Sequence, residues 1–105
     1  MNGINTSPPS GGLDCAIKLF SLGQVVATPG ALELLDKFAI NAYDLLLRHQ
    51  SGDWGLIPEE DAQANLISVS NNLRILSSYP FEEERIWIIT EADRSSTTLL
   101  LPEEY

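Results

Sequence analysis

This chain is poor in the residues from which metal sites, disulfides and nucleic-acid surfaces are built. It has one cysteine, Cys15, and one histidine, His49, among 105 residues. A single cysteine excludes an intrachain disulfide and fits a reducing compartment. One cysteine and one histidine cannot make a Cys/His zinc site, and the acidic runs lack EF-hand spacing, so no metal is expected. There is no Gly-x-x-x-x-Gly-Lys-Ser/Thr loop, and Gly11-Gly12 does not open a dinucleotide fingerprint, so no cofactor is expected either. No apolar run approaches the ~20 residues that cross a bilayer. The first residues, Met1 to Ser7, lack the basic and apolar regions of a signal peptide, which makes a cytoplasmic protein with no membrane partner the expectation. Internal repeats and long linkers are absent as well, so one domain is expected.

Positive charge is also scarce. Six basic residues stand against fifteen acidic ones, a net charge of -9. Nucleic-acid binding is driven by Lys and Arg displacing counterions, so this balance argues against direct contact with DNA or RNA. It suits solubility, or a basic protein partner.

What the chain has is a hydrophobic share of 44% and a stretch of alternating β-formers near its end. Arg85 to Thr90 and Ser96 to Leu101 are two apolar, β-branched runs joined by a short polar connection, Glu91 to Ser95. That pattern predicts a hairpin. Ile86 and Ile88 fall on one face and Trp87 and Ile89 on the other, which predicts a strand inside a sheet. Before it, residues 1–12 contain Ser-Pro-Pro-Ser-Gly-Gly and little that can be buried, so a disordered tail is expected, followed by one domain over 13–105. Leu13 to Ala27 predicts at least one short strand, with a turn or bulge at Gly23. Thr28-Pro29 opens a helix whose stripe is Leu32, Leu34, Leu35 and Phe38. Asn41 caps a second helix, with Leu45, Leu46 and Leu47 inward, Arg48 and His49 in its last turn and Gly52 past its end. Pro58 starts a third, with Ala62, Leu66 and Val69 as its apolar face and Asn71-Asn72 as its close. Leu73 to Tyr79 predicts a strand, and Pro80 to Glu84 an acidic turn. The expected fold is therefore α+β: an N-terminal strand, about three short helices, then a three-stranded antiparallel meander packed against them.

Two polar groupings are candidate sites. The first is Arg48-His-Gln-Ser-Gly-Asp-Trp-Gly55, on a loop between helices, where binding residues concentrate. His49 is suited to general acid or base work near neutral pH, with Asp53 to orient it. The structural alternative has His49 completing a helix end and Trp54 plugging the gap between helices and sheet, rather than anchoring a partner. The second grouping is Thr90, Glu91, Asp93, Arg94, Thr97 and Thr98 around the hairpin turn. Arg94 suits an anionic ligand, although a local turn with an Asp93–Arg94 ion pair explains both residues.

Three blocks of the sequence carry a resemblance: Leu22 to Glu33; Arg48-His49 with Gly52-Asp-Trp-Gly55; and Trp87 to Arg94 with Thr97 to Tyr105. Together they resemble a group of small bacterial proteins borne on plasmids and prophages, labelled "plasmid-related protein" or "type I restriction endonuclease subunit M". The methyltransferase chemistry of the second label requires an Asn-Pro-Pro-Tyr-type loop and a glycine-rich strand–turn–helix, and neither is present. The resemblance implies a role in conflict between mobile elements and their hosts. Two function classes follow. One is a non-enzymatic, acidic binding protein of a mobile element, an inhibitor of a nucleic-acid-targeting host defence system, whose partner is a basic nucleic-acid-binding protein. Its binding residues would be His49, Asp53, Trp54 and Arg94. The other is a small nuclease or toxin domain resembling RelE- and barnase-like proteins, with His49, Arg94 and Thr90 handling protons and phosphate charge.

Overall fold

The computed structural model describes residues 17–105. The expected tail over residues 1–12, the domain start near Leu13, Gly11-Gly12 and Cys15 lie outside the described residues. The chain forms β1 (Gln24–Ala27), α1 (Pro29–Lys37), α2 (Ala42–Gln50), α3 (Glu59–Asn71), β2 (Ile75–Phe81), β3 (Glu84–Thr90) and β4 (Ser96–Leu100), and closes with a 3-10 turn over Pro102–Glu104. The class is α+β, with three α-helices and four strands among the described residues. No helix among the described residues is long and apolar enough to cross a membrane.

The sheet is mixed, in the order β1-β4-β3-β2. This corrects the expectation of a plain antiparallel meander. β2 with β3 and β3 with β4 are antiparallel, but β1 joins the far side of β4 in parallel, Gln24 opposite Ser96 and Ala27 opposite Leu99. The three helices carry the chain from β1 to β2 at the opposite edge, and β2 and β3 then bring it back to β4, which gives the long connection a parallel pairing demands. A closely packed glycine seats β1 beside the β3–β4 turn. Gly23 has φ +64°, and a Cβ there would come within 2.4 Å of the carbonyl oxygens of Arg94 and Ser95.

The expected hairpin, β3 and β4, occupies the centre of the sheet. Its helix-facing residues Ile86, Ile88 and Leu99 pack with Tyr79 of β2, Ala31, Leu34 and Leu35 of α1 and Leu45 of α2. A second apolar cluster joins Phe20, Trp54 and Ile75, with Ala62 and Val69 of α3 against it. On the opposite face Trp87 meets Tyr105 edge-on at 5.8 Å.

Local chemistry explains the helix starts. Thr28 caps α1, its hydroxyl accepting from the Ala31 amide, and Pro29 takes the first position. Glu104, from the far end of the chain, adds its carboxylate to the Gly30 amide at 3.1 Å. Asn41 caps α2 through the Tyr43 amide. The expected face of α3 needs correction. Leu66 is 50% exposed, whereas Asn65 and Ser68 are buried. The reason lies in what α3 packs against. It lies along β2, whose outward backbone groups require polar partners, and the Asn65 amide meets them by accepting from the Leu76 N–H and donating to its carbonyl. β2 itself runs two residues later than expected, with Pro80 inside it and only Glu82-Glu83 left as the turn. Proline is tolerated there because its missing N–H faces away from β3.

Candidate functional site

His49 lies in the last turn of α2, and its ring points down onto the sheet. It is 0% exposed. Nδ1 is 2.6 Å from the Ser77 hydroxyl of β2, and Nε2 is 2.9 Å from the Thr90 hydroxyl of β3. Thr90 is in turn 2.7 Å from Thr97 of β4, its cross-strand neighbour, and Thr97 donates to the Leu22 carbonyl at 2.7 Å. The chain of bonds crosses β2, β3 and β4 and ends on the segment before β1.

Counting protons assigns every bond in it. Thr97 spends its only hydrogen on the Leu22 carbonyl, so Thr90 must donate to Thr97. Thr90 then has no hydrogen for the imidazole, so His49 donates from Nε2. Burial pushes the ring's pKa down to about 3, which keeps it neutral. In the neutral ring Nδ1 is left as the acceptor and Ser77 donates to it, which gives the Nε2–H form with both nitrogens occupied. The edge of Phe20, at 5.1 Å, and Trp54, at 6.1 Å, close the ring's remaining sides.

The loop that follows is tied down residue by residue. Asp53 does not reach His49. It pairs with Arg48, Oδ2 to Nε 2.6 Å, and accepts from the Gly55 amide. The Arg48 guanidinium holds the Asp53 carboxyl below the usual carboxylate range, and stacks 4.5 Å over the Tyr79 ring. The Tyr79 hydroxyl donates to the Asp53 carbonyl, and burial raises its pKa. Trp54 is 6% exposed and stacks on Phe20 at 6.4 Å. Its backbone carbonyl accepts from Ser78, Leu56 donates to the Ser78 carbonyl, and Gly55 forms a parallel bridge with Ser78. Only glycine fits between them. Gly55 has φ +77°, and a Cβ would sit 2.1 Å from the Ser78 oxygen.

Arg94 sits on the β3–β4 turn with φ +61°. Its guanidinium donates to the carbonyls of Ser68 and Leu73 at the end of α3, and of Glu91 and Ala92 in the turn. It also lies over the Phe20 ring at 5.6 Å. α3 has no basic residue in its last turn, so Arg94 brings the cation its dipole favours from another element. Asp93 does not pair with Arg94; it accepts from the Ser95 amide at 3.0 Å.

The structure thus joins His49 and Thr90, which the sequence drew from two groupings and brought together only in the nuclease alternative, and adds Ser77, which it missed. The available signal was a serine pair inside an apolar strand, Ser77-Ser78, one of which had to face the core. Asp53 and Arg94 belong to two other networks. Among the described residues no cluster of His, Cys, Asp and Glu is arranged to hold a metal ion. Chemically, the His49 chain orders protons and fastens α2 to three strands, and leaves no free nitrogen facing solvent. No family model, curated protein or solved structure matches this chain.

Proposed function

We propose that this protein is a small acidic binding protein that acts by occupying a cationic protein partner and carries out no catalysis. The observation that carries this reading is the His49 ring, fully buried and bonded at both nitrogens, a burial that lowers its pKa and favours the neutral form. A general base needs a lone pair within reach of the substrate's proton, and the chain's one imidazole offers none. Of its two companions in the nuclease reading, Thr90 is buried in the same chain of bonds, and Arg94 is spent on four carbonyl oxygens.

Surface charge supports the same reading. Five of the six basic residues are held in ion pairs or on protein oxygens: Lys37, Arg48, Arg74, Arg85 and Arg94. All the described acids are at least partly exposed, and most have no cationic partner. Such a surface steers a basic protein toward it and repels phosphate. The sequence resemblance to plasmid- and prophage-borne proteins supports the narrower form, an inhibitor of a nucleic-acid-targeting host defence system. The test uses the tagged full chain as bait among bacterial nucleoprotein complexes, followed by DNA-binding assays on the captured protein. A basic partner, released by salt and losing its DNA at equimolar bait, is the expected result. RNA or DNA cleavage by the wild-type protein, lost in a folded His49→Gln variant, overturns the reading.

A further inference from the structure

The two edges of the sheet are treated in opposite ways. At β2 each outward position is closed: Leu76 by the Asn65 amide, Ser78 by the Trp54 carbonyl and the Leu56 amide, and Pro80 by having no N–H. These are the devices by which proteins blunt a strand edge. At β1 the strand is short, four residues, but none of these closures appears among the described residues. The parallel ladder engages β1 on the β4 side, where Gln24 donates to Ser95 and Thr28 to Leu99. In such a ladder alternate residues face the partner, so the N–H and C=O of Val25 and Ala27 point away from β4. Among the described residues no lysine or proline guards them, and Val25 and Val26 are 42% and 43% exposed on opposite faces.

The two ends of this uncharged strand are acidic. At its start, Gln24 bonds the carbonyl of Ser95, whose amide is bonded by Asp93. At its end, Thr28 donates its hydroxyl to Glu104, beside Glu103. Four residues at ~3.3 Å each separate the two ends by about 13 Å.

We propose that the β1 edge receives an extended segment of a cationic protein as a fifth strand, with an apolar centre and a lysine or arginine at each end. This rests on the binding-protein reading and names the surface through which it works. Main-chain bonds to Val25 and Ala27 supply the affinity, and Val25 and Val26 pack the segment's side chains. Asp93 at one end and Glu103 at the other favour its terminal charges, Glu104 being already bonded by Thr28, Gly30 and Leu101. A second copy of the chain fits less well, because two molecules of charge -9 repel.

The test is an NMR titration of the full 15N-labelled chain. The probe is a five-residue peptide, valine and threonine alternating between a lysine at each end, so that the lysines stand about 13 Å apart; the control carries glutamates there instead. The proposal expects shifts at the amides of Gln24 to Thr28 and none at Leu76 or Ser78. It expects binding about tenfold weaker for the control peptide, and weaker in salt. Val25→Pro removes an outward N–H while leaving the β4 ladder intact, so binding should vanish in a variant whose β4 amides are unmoved. Should that variant unfold, Val25→Lys decides instead: it should weaken the lysine-ended peptide and strengthen the glutamate-ended one. Equal binding of both peptides, no binding, shifts elsewhere, or a β1-dependent dimer of the chain each overturn the proposal. If a partner captured by the full chain binds the Val25→Pro variant unchanged, the edge fails and the binding-protein reading stands. Nuclease activity removes that reading without altering the peptide titration.

Discussion

A buried histidine with every proton assigned has consequences for stability. Burial lowers the His49 pKa in the folded chain from 6.5 to about 3. Between those values the unfolded chain binds one more proton than the folded one. Stability from this source is therefore complete above pH 6.5 and is lost as pH falls, at up to about 1.4 kcal/mol per pH unit. The carboxyls of Asp53, Asp93 and Glu104 are also held below their usual range, by Arg48, Ser95 and Thr28 respectively. Their contribution is present above the ordinary carboxylate range and is lost only near pH 4 and below. Urea denaturation at pH 7, 6 and 5 should thus show the slope of the single histidine, and His49→Gln should flatten it. Gly55 gives a second residue-scale prediction. Alanine there meets the Ser78 carbonyl and a positive φ together, which should cost about 3 kcal/mol. A Gly55→Ala melting temperature within a degree of wild type would contradict the bridge between this loop and β2.

At the scale of elements, α3 and the β3–β4 turn are held by polar bonds made at a distance. Asn65→Ala leaves the Leu76 N–H and C=O unpaired beside the helix, a loss of about 1–3 kcal/mol in thermal or chemical denaturation. Arg94→Ala should cost a similar amount by freeing carbonyls of α3 and the turn, and Arg94→Lys should recover only part, since an ammonium cannot fork as a guanidinium does. These bonds also mark what sequence could and could not show. The caps at Thr28 and Asn41 and the pairing of β3 with β4 were legible, because each depends on residues close in the chain. The inward face of α3 was not. Apolar spacing pointed to Leu66, whereas the neighbour was a strand edge that needed an amide. The parallel pairing of β1 was equally hidden, since four residues carry no mark of their direction. Nor did spacing reveal that His49 and Thr90, 41 positions apart, are bonded.

For the whole molecule, the hairpin is the frame. Ile88 is fully buried between β2 and β4 beneath α1 and α2. Ile88→Asp should therefore unfold the chain, because an unpaired buried charge costs several kcal/mol against a total of about 5–15. A soluble variant with a native circular dichroism spectrum would contradict that placement. The same economy runs through the molecule. Its imidazole and five of its six cations are bonded within the fold, and what the described residues leave outside is chiefly negative charge and, at β1, a strand edge with no partner. Function as a binding protein follows only if the imidazole is truly withdrawn from chemistry. Long-range 1H–15N NMR of the one histidine, followed from pH 7.5 to 4.5, tests this most directly. The account predicts a neutral ring in the Nε2–H form whose nitrogen shifts do not move over that range. A ring that titrates near pH 6.5, or carries its proton on Nδ1, would contradict it.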